Sequence, residues 1–332
     1  MSTLSILVTS AGRRVALLTC IRESAKRLGV EVKLLAVDAR PESSAACYIA
    51  DNAFTVPSCA SPDFESVFIE LCSRERVGLV IPTIDTELQV LARLAPRLAL
   101  TGTQIAISDV STIDLLRNKQ RATEHIRSRG LSVPRTVMAA SVLDDPAAWS
   151  WPLYVKPIAG SSSVGAMPVT DAATLDTLVR QRGDLIAQEL VPGDEYTINL
   201  YFDRAGTLRS VVPHQRLEVR AGEVSKGITR KDPRLIELGR AFARAVSGLR
   251  GAICIQAFLG SEENAIAKVT DFNARFGGGY PIAHAAGAEF TTWLIDEALG
   301  KTRSWGKLDS FQDGLLMLRY DEAVFVSGNR KC

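Results

Sequence analysis

The sequence predicts an α/β protein in which an open parallel α/β sheet is followed by an α+β region of mixed, mostly antiparallel sheets. From Ser5 to Ser108, short apolar strands alternate with amphipathic helices, the pattern of parallel strands joined by crossover helices. From Pro134 onward strands and turns dominate, interrupted by single helices. Late in the chain, Val269-Thr270-Asp271-Phe272-Asn273-Ala274-Arg275 alternates two kinds of side chain and runs through Phe276 into Gly277, Gly278 and Gly279.

Residues 5–9 are apolar and short enough for a buried strand. Gly12-Arg13-Arg14 then opens a helix to about Leu28, with Val15, Leu18, Ile21 and Ala25 on one stripe. Residues 31–38 form the next strand and complete a β-α-β unit. The pattern repeats with a strand at 53–56, a helix at 62–76, a strand at 78–82, a helix at 87–93 and a strand at 104–108. Sheets of this kind bind ligands at the carboxyl ends of their strands, which here carry Ser10-Ala11-Gly12-Arg13, Asp38 and Thr83-Ile84-Asp85. The first turn has one glycine, Gly12, in place of G-x-G-x-x-G, which argues against a nicotinamide dinucleotide. Arg13, at the helix start, is either a grip for an anionic substrate group or a solvated charge.

Two helices follow, 109–118 capped by Ser108 or Asp109, and 119–129 ended by Gly130. Strands are then expected at 135–138, 153–157, 166–169, 185–190, 196–202 and 208–213, with a helix at 172–182 and a surface connection at 144–151. Residues 254–258 and 269–275 read as a hairpin through Glu262-Glu263-Asn264, and 315–320 as a closing strand.

A chain of 332 residues can bury an ample core in two or three compact units. Charged residues make up 23% and hydrophobic ones 46%, as expected of a soluble globular protein. The net charge of +2, with no basic run longer than two residues, lacks the field that sequence-independent nucleic-acid binding requires. No apolar run reaches the length of a membrane span, and Met1-Ser2-Thr3 leads directly into a strand, so a cytoplasmic protein without membrane or nucleic-acid partners is expected. The six cysteines, at 20, 47, 59, 72, 254 and 332, lack C-x-x-C spacing and read as reduced thiols, with Cys47 and Cys59 in loop-like stretches. His125, His214 and His284 are too scattered for a zinc site.

Chemistry concentrates in four places. In the strand at 269–275, alternation puts Asp271, Asn273 and Arg275 on one face, with Val269 in line and Thr270, Phe272 and Ala274 opposite. A carboxylate beside an amide oxygen can hold a hard cation such as Mg2+, and a guanidinium beyond them can fork onto phosphate or carboxylate oxygens. The hairpin brings Gln256 beside Asp271. Taken alone, the stretch reads equally as an edge strand facing water. Lys156 closes the strand Tyr154-Val155-Lys156-Pro157 and precedes Gly160-Ser161-Ser162-Ser163-Val164-Gly165, whose backbone N–H groups and hydroxyls suit phosphate oxygens. This loop is not of the Walker type, and its ordinary reading is a hairpin connection. The strand ending at Glu189, Leu190 and Val191 can offer open backbone groups to an adenine edge, and Glu195, past the turn at Gly193, can accept from ribose hydroxyls.

In this order, Lys119, Lys-Pro with its Gly/Ser loop, a strand then Gly-x-Glu, Gln256, and Asp-x-Asn-x-Arg, the chain resembles the ATP-grasp superfamily. Within it the resemblance is to the carbamoyl-phosphate-synthase-like branch of stand-alone carboxylate–amine ligases, and it covers essentially all residues. It implies an N-terminal α/β domain at 1–110 and a two-lobed α+β ATP-grasp domain, its small lobe with a Gly/Ser lid at 111–190 and its large lobe with the metal site at 191–332. It also implies ATP with Mg2+, or Mn2+ in its place. Lys119 and Lys156 match the residues that hold the α and β phosphates, and Gly160, Ser161, Ser162, Ser163 and Gly165 look like the lid over the β and γ phosphates. Glu189, Leu190 and Val191 match the adenine strand, Glu195 the ribose acceptor, Gln256, Asp271 and Asn273 the metal ligands, and Arg275 the arginine facing the transferred phosphoryl group. The chain departs from the family in having Asp271 where glutamate is usual and Ser162 in place of the lid's second glycine. With Gln256 neutral, the nucleotide's phosphates must supply most of the negative charge around the metal.

The implied activity is ATP-dependent carboxylate–amine ligation through an acyl phosphate, giving an amide or peptide with ADP and phosphate. A phosphotransferase using the same nucleotide site, or a nucleotide-binding regulator with little turnover, are the alternatives. The partners expected are a small carboxylate and a small amine, and a homodimer is left open. Arg13, Arg216, Lys226 in the glycine-containing turn 223–227, and the Gly278-Gly279 backbone are the substrate-binding candidates, and His214 reads as a base or a structural histidine.

Overall fold

The computed structural model describes residues 3–160, 164–301 and 303–327. The first sheet is built from β1 (Leu4–Val8), β2 (Val32–Asp38), β3 (Asn52–Thr55), β4 (Val77–Ile81) and β5 (Gln104–Ile105), all parallel, in the order β3-β2-β1-β4-β5. Helices α1 (Val15–Leu28), α2 (Ala45–Ile49), α3 (Phe64–Arg74) and α4 (Leu88–Ala99) connect its strands. Every residue of β1 is buried, as a central parallel strand covered on both faces requires. On α1 the expected Leu18, Ile21 and Ala25 are buried and Val15 is half-buried.

In this first unit, α4 and β5 differ from expectation. α4 extends to Ala99 through Pro96, since its apolar stripe continues with Leu94 and Leu98, both buried. β5 is only Gln104–Ile105, because the chain then turns away: the Asp109 N–H bonds to the Gly248 carbonyl at 2.9 Å, and Ser108 engages Arg250.

Helices α5 (Val110–Arg117) and α6 (Lys119–Ser128) lead out of this unit, and the Asn118 side chain caps α6 by accepting from the Arg121 N–H at 3.0 Å. A small antiparallel sheet follows, made of β6 (Thr136–Met138), then after α7 (Ala139–Val142) β7 (Leu153–Pro157) and β8 (Met167–Val169), and after α8 (Ala172–Gln181) β9 (Leu185–Glu189). Its order is β6-β9-β7-β8, and it has its own core around Trp149, Leu153 and Leu175.

The third sheet comprises β10 (Asp194–Phe202), β11 (Leu208–Arg220), β12 (Glu223–Thr229), then beyond α9 (Pro233–Ala245) β13 (Gly251–Leu259) and β14 (Lys268–Asn273), and finally, past α10 (Tyr280–Ala285) and α11 (Phe290–Ala298), β15 (Leu316–Leu318). Its order is β14-β13-β10-β11-β12-β15. The strand expected at 208–213 therefore runs on to Arg220, and the expected turn 223–227 is itself strand β12. The turn is Ala221-Gly222, with φ of 49° and 77°, the two-residue left-handed geometry that matches strand twist. Polar alternation along 214–220 hid this ribbon, whose side chains meet the site and solvent rather than a core.

One face of the third sheet is apolar: Ile198, Leu200, Ile255 and Phe272 pack with Leu235 and Phe242 of α9. Helices α10 and α11 cross back to α1, where Tyr280 and Phe290 share a core with Leu18 and Ile21. The N-terminal sheet is thus welded to the third sheet, and the chemical face of the latter looks across a cleft at the small sheet. Among the described residues no helix is long and apolar enough to cross a membrane.

Candidate functional site

The site is organised by one irregularity in the β13–β14 ladder. Gln256 pairs with Asp271, but Ala257 pairs with Val269, so Thr270 is an extra residue on its strand. The bulge turns Val269 into the core beside Phe272 and Ala274, whereas alternation alone had put it in line with Asp271. Thr270 instead faces the cleft, and its carbonyl, outside the ladder, accepts from Lys156 Nζ at 2.8 Å.

A cavity of about 350 Å³ lies between the small and third sheets. Lys156 and Tyr154 of β7 form one wall, Glu189, Leu190 and Val191 another, and Glu195, Gln256 and Asp271 the floor, with Lys119 at the start of α6 and Gly160 at its rim. Ser161, Ser162 and Ser163 lie outside the described residues; Val164 lines the cavity, and Gly165 does not. Gly193 has φ of 115°, and a Cβ there would strike the Leu259 backbone, so only glycine lets β10 begin against β13 and carry Glu195 to the floor.

Charge is concentrated around Asp271. Its carboxylate accepts from Lys119 Nζ in a very short contact, and from Asn273 Nδ2 at 3.4 Å. Burial would raise this carboxyl, but Lys119 and Lys156 outweigh it and hold its pKa at about 2. Burial pushes Lys156 the other way, down to about 8, with Asp271 supporting its charge and Lys119 opposing it. Two ammonium groups against one carboxylate leave the end of the cavity net positive, the condition for a phosphate chain. At the opposite wall Arg216 Nε lies 3.0 Å from Glu195 Oε1, though its N–H is not aimed along that line, so the attraction is between charges. Burial raises the Glu195 pKa against the pull of Arg216.

Gln256 and Asp271 also line a second cavity of about 60 Å³, with Asn273, Arg275 and the backbone of Gly277, Gly278 and Gly279. Arg275 was expected to face the transferred phosphoryl group. It is in fact held by the N-terminal unit: Nε and Nη2 both donate to Asp85 Oδ2, at 3.0 and 2.6 Å, and Nη2 to Asn273 Oδ1 at 3.2 Å. Asp85 is in turn set by its loop, where buried Glu87 accepts from Thr9, Ser10, Thr83 and Ile84 at 2.6 to 3.2 Å.

Among the substrate candidates, Arg216 lines both cavities, and Gly278 and Gly279 line the second, Gly279 against His214 and Val224. Lys226 points away, paired with Glu218 at 2.7 Å and half exposed, because it sits on β12 and not in a turn. Arg13 is exposed and borders only an outer recess, whose wall includes Arg14, Glu223 and Arg319. His214 is buried, its Nδ1 near Asn199 Nδ2 at 3.1 Å and its Nε2 without a hydrogen-bond partner among the described residues, and burial lowers its pKa to about 3. It borders neither cavity, which favours a structural role.

Sequence reasoning passed over Asp85 as a partner, and missed Glu87, Arg14, Glu223 and Arg319. The two acids of Thr83-Ile84-Asp85-Thr86-Glu87 past an apolar strand read as an ordinary helix start, where carboxylates are favoured, and so did not single themselves out. Among the described residues, no group of three or more His, Cys, Asp or Glu side chains is placed to hold a metal ion. A donor set of Asp271, Gln256 and Asn273, with a single carboxylate, would suit a divalent cation that arrives with anionic ligands of its own.

Known proteins supply two kinds of match. The family described as ATP-grasp domain matches residues 116–279, and the family described as PylC-like, N-terminal domain matches residues 6–106. No curated protein matches the sequence significantly. Among solved structures, the chain is similar to the biotin carboxylase domain of Hydrogenobacter thermophilus 2-oxoglutarate carboxylase, in complex with MgADP, ADP and bicarbonate, at a TM-score of 0.72 and 16% identity, over 95% of this chain and 74% of that one. It is similar to Staphylococcus aureus N5-carboxyaminoimidazole synthetase complexed with ADP, at a TM-score of 0.70 and 16% identity, over 91% and 78%. It is also similar to the L-amino acid ligase of Bacillus licheniformis, at a TM-score of 0.67 and 19% identity, over 89% and 74%. At these identities the likeness shows the fold.

Proposed function

Because the chain belongs to the ATP-grasp superfamily, we propose that it is an ATP-dependent carboxylate–amine ligase working through an acyl phosphate. The observation that carries this reading is the meeting of Lys119 and Lys156, in a nucleotide-sized cavity, with Asp271, which together with Gln256 also lines a smaller, arginine-walled one. The Glu189 N–H is already bonded to the Arg135 carbonyl at 3.0 Å, so the backbone past the end of β9, at Leu190 and Val191, is what would suit an adenine, and Glu195 suits ribose hydroxyls. Lys119 and Lys156 would take the α and β phosphates, which would replace Asp271 as the partner of Lys119 and free its carboxylate for a cation shared with Gln256 and Asn273.

When bound, MgATP supplies a transferable phosphoryl group with part of its charge already neutralised. A carboxylate does not condense with an amine at neutral pH, because its oxyanion is a poor leaving group. Transfer of the γ-phosphoryl to a carboxylate oxygen, with cleavage of the β–γ bridge, makes an acyl phosphate and ADP. The amine then attacks the acyl carbon, phosphate departs, and the amine loses a proton. Arg275, aimed along the second cavity and backed by Asp85, is the group that would face charge on the transferring phosphoryl. Lys156 and Arg275 are thus the proposed catalytic residues.

The test is a screen of acid and amine pairs for ATP-dependent phosphate release, with mass spectrometry of the products. A ligase releases phosphate fully only when both substrates are present and yields their condensate. Accumulation of a phosphorylated compound without amine would make the protein a phosphotransferase, and nucleotide binding with no turnover would make it a regulator. Asp271→Ala and Arg275→Ala should each abolish turnover in a folded protein.

A further inference from the structure

The two cavities continue into a third space. An outer recess of about 20 Å³ shares Arg14, Glu223, Gly277 and Gly278 with the second cavity, and no lining residue with the nucleotide-sized one. The three are therefore chambers in a row, with the Asp271–Arg275 chamber in the middle.

The charges of the row do not cancel at its far end. Arg275 faces Asp85 and Arg216 faces Glu195, one cation to one anion in each case, while the excess of Lys119 and Lys156 over Asp271 is what the proposed phosphates would offset. In the outer recess, Arg14 and Arg319 share a single carboxylate, with Arg14 Nη1 3.2 Å from Glu223 Oε1 and Arg319 Nη1 3.0 Å from Glu223 Oε2. Arg13 adds a third positive charge with no carboxylate of its own on that wall. The arginines are positioned from separate elements: Arg14 also donates to the Thr83 carbonyl at 3.2 Å, and Arg319 to the Gly278 carbonyl. Burial and repulsion from Arg275 and Arg319 work against the Arg14 charge, and only Glu223 supports it strongly. An arginine side chain 16% exposed, held in such surroundings, has a standing attraction for a second anion.

Resting on the ligase reading, the geometry points to a substrate with two functional ends: one reacts in the middle chamber, and the other carries a carboxylate that is not activated and is gripped by Arg14 with Arg13 and Arg319 in the outer recess. Two sources share this chemistry. The acid substrate is a dicarboxylate, or the amine substrate is an amino acid whose own carboxylate docks there. Gly278 belongs to the same wall, since a Cβ at that position would meet the Glu223 carboxylate at 2.5 Å; the missing side chain leaves room for Glu223 between Arg14 and Arg319.

Calorimetric titration of the full chain, with and without MgADP, tests this without turnover. The probes are glutarate against its monomethyl ester, and alanine against alaninamide. At least one carboxylate form should bind about tenfold more tightly than its neutralised counterpart, as expected for a charge-assisted contact. Arg14→Met should bring that ratio close to one. Discrimination confined to glutarate assigns the subsite to the acid, and discrimination confined to alanine assigns it to the amine. Equal binding of both forms in the unaltered protein, no binding of any carboxylate probe, or an undiminished ratio in Arg14→Met would overturn the inference. Arg13→Met, on an exposed residue, offers a second variant whose folding is not at issue, and it should lower the ratio partway. Failure of MgADP itself to bind would instead remove the ligase reading, and the carboxylate ratios would still decide the subsite.

Discussion

At the scale of single residues, the site depends on side chains whose partners come from far away in sequence. Arg275 donates twice to one oxygen of Asp85, with both side chains at 10% exposure or less. Asp85→Asn keeps the shape and removes the charge, so Arg275 should keep its place less strictly. Loss of one partner from a buried pair costs about 3 kcal/mol or more. Turnover should fall at least about tenfold while affinity for MgADP stays within about twofold, a split between kcat and binding that general unfolding would not produce. Lys156 carries a pH signature. Its folded pKa is about 8, against roughly 10.4 in an unfolded chain. Between those values the unfolded chain holds the extra proton, so this residue makes stability rise with pH. A phosphate needs the charged form, so MgADP affinity should weaken above pH 8, by up to about tenfold per unit. Lys156→Arg, which does not titrate there, should flatten the curve, and an unchanged slope in that variant would exclude Lys156 as its source. Lys156 and Asp271 stood out in sequence because each lies in a short motif, and Lys119 through its place in the order that carries the resemblance. Asp85 and Glu223 did not, because a carboxylate's partner is invisible until distant strands are brought together.

At the scale of elements, two irregularities decide what the site contains. The bulge at Thr270 gives Lys156 a carbonyl to hold, and the Ala221-Gly222 turn sends β12 back along β11 with Glu223 at its start. Neither follows from alternation, which reports which residues share a face but not where a strand gains an extra residue or how far a polar ribbon runs. The same ribbon explains Gly279. A Cβ there would lie 2.7 Å from His214 Nε2 and 2.8 Å from Val224 Cγ1, both in packed surroundings. Gly279→Ala should therefore cost about 1–3 kcal/mol in chemical denaturation, as overpacking does. Gly278→Ala meets only the end of the Glu223 side chain and should cost less, displacing that carboxylate instead. Equal losses in the two variants would contradict this account of the wall.

At the scale of the whole molecule, the N-terminal sheet, the third sheet and α10–α11 share cores, so the catalytic face and the unit that presents Asp85 and Arg14 form a common frame. Buried His214 ties the stability of this frame to pH. The unfolded chain takes a proton near pH 6.5, whereas burial and the nearby Arg216 and Arg319 keep the folded histidine neutral down to about 3. Stability is thus fully present above about 6.5 and lost as pH falls toward 3, with a slope of up to about 1.4 kcal/mol per unit from this residue. Between pH 7 and pH 5 the protein should lose roughly 2 kcal/mol more than His214→Gln does when both are denatured in urea. Parallel losses in the two proteins would show that other groups set the acid limit.

The sequence by itself determined the parallel sheet followed by antiparallel ones and the ATP-grasp resemblance that its matches bear out, because apolar periodicity and the ordered motifs are local properties of the chain. It also singled out Lys119, Lys156, Gln256 and Asp271 before any contact among them was known. Only the tertiary structure decided that Arg275 is held by Asp85, that Lys226 points away, and that Arg14 and Arg319 share Glu223 with Arg13 on the same wall. The physical reason is that charge balance belongs to a volume: each of these groups takes its character from whichever opposite charge folding brings within a few ångströms, and the chain's order carries no record of that distance.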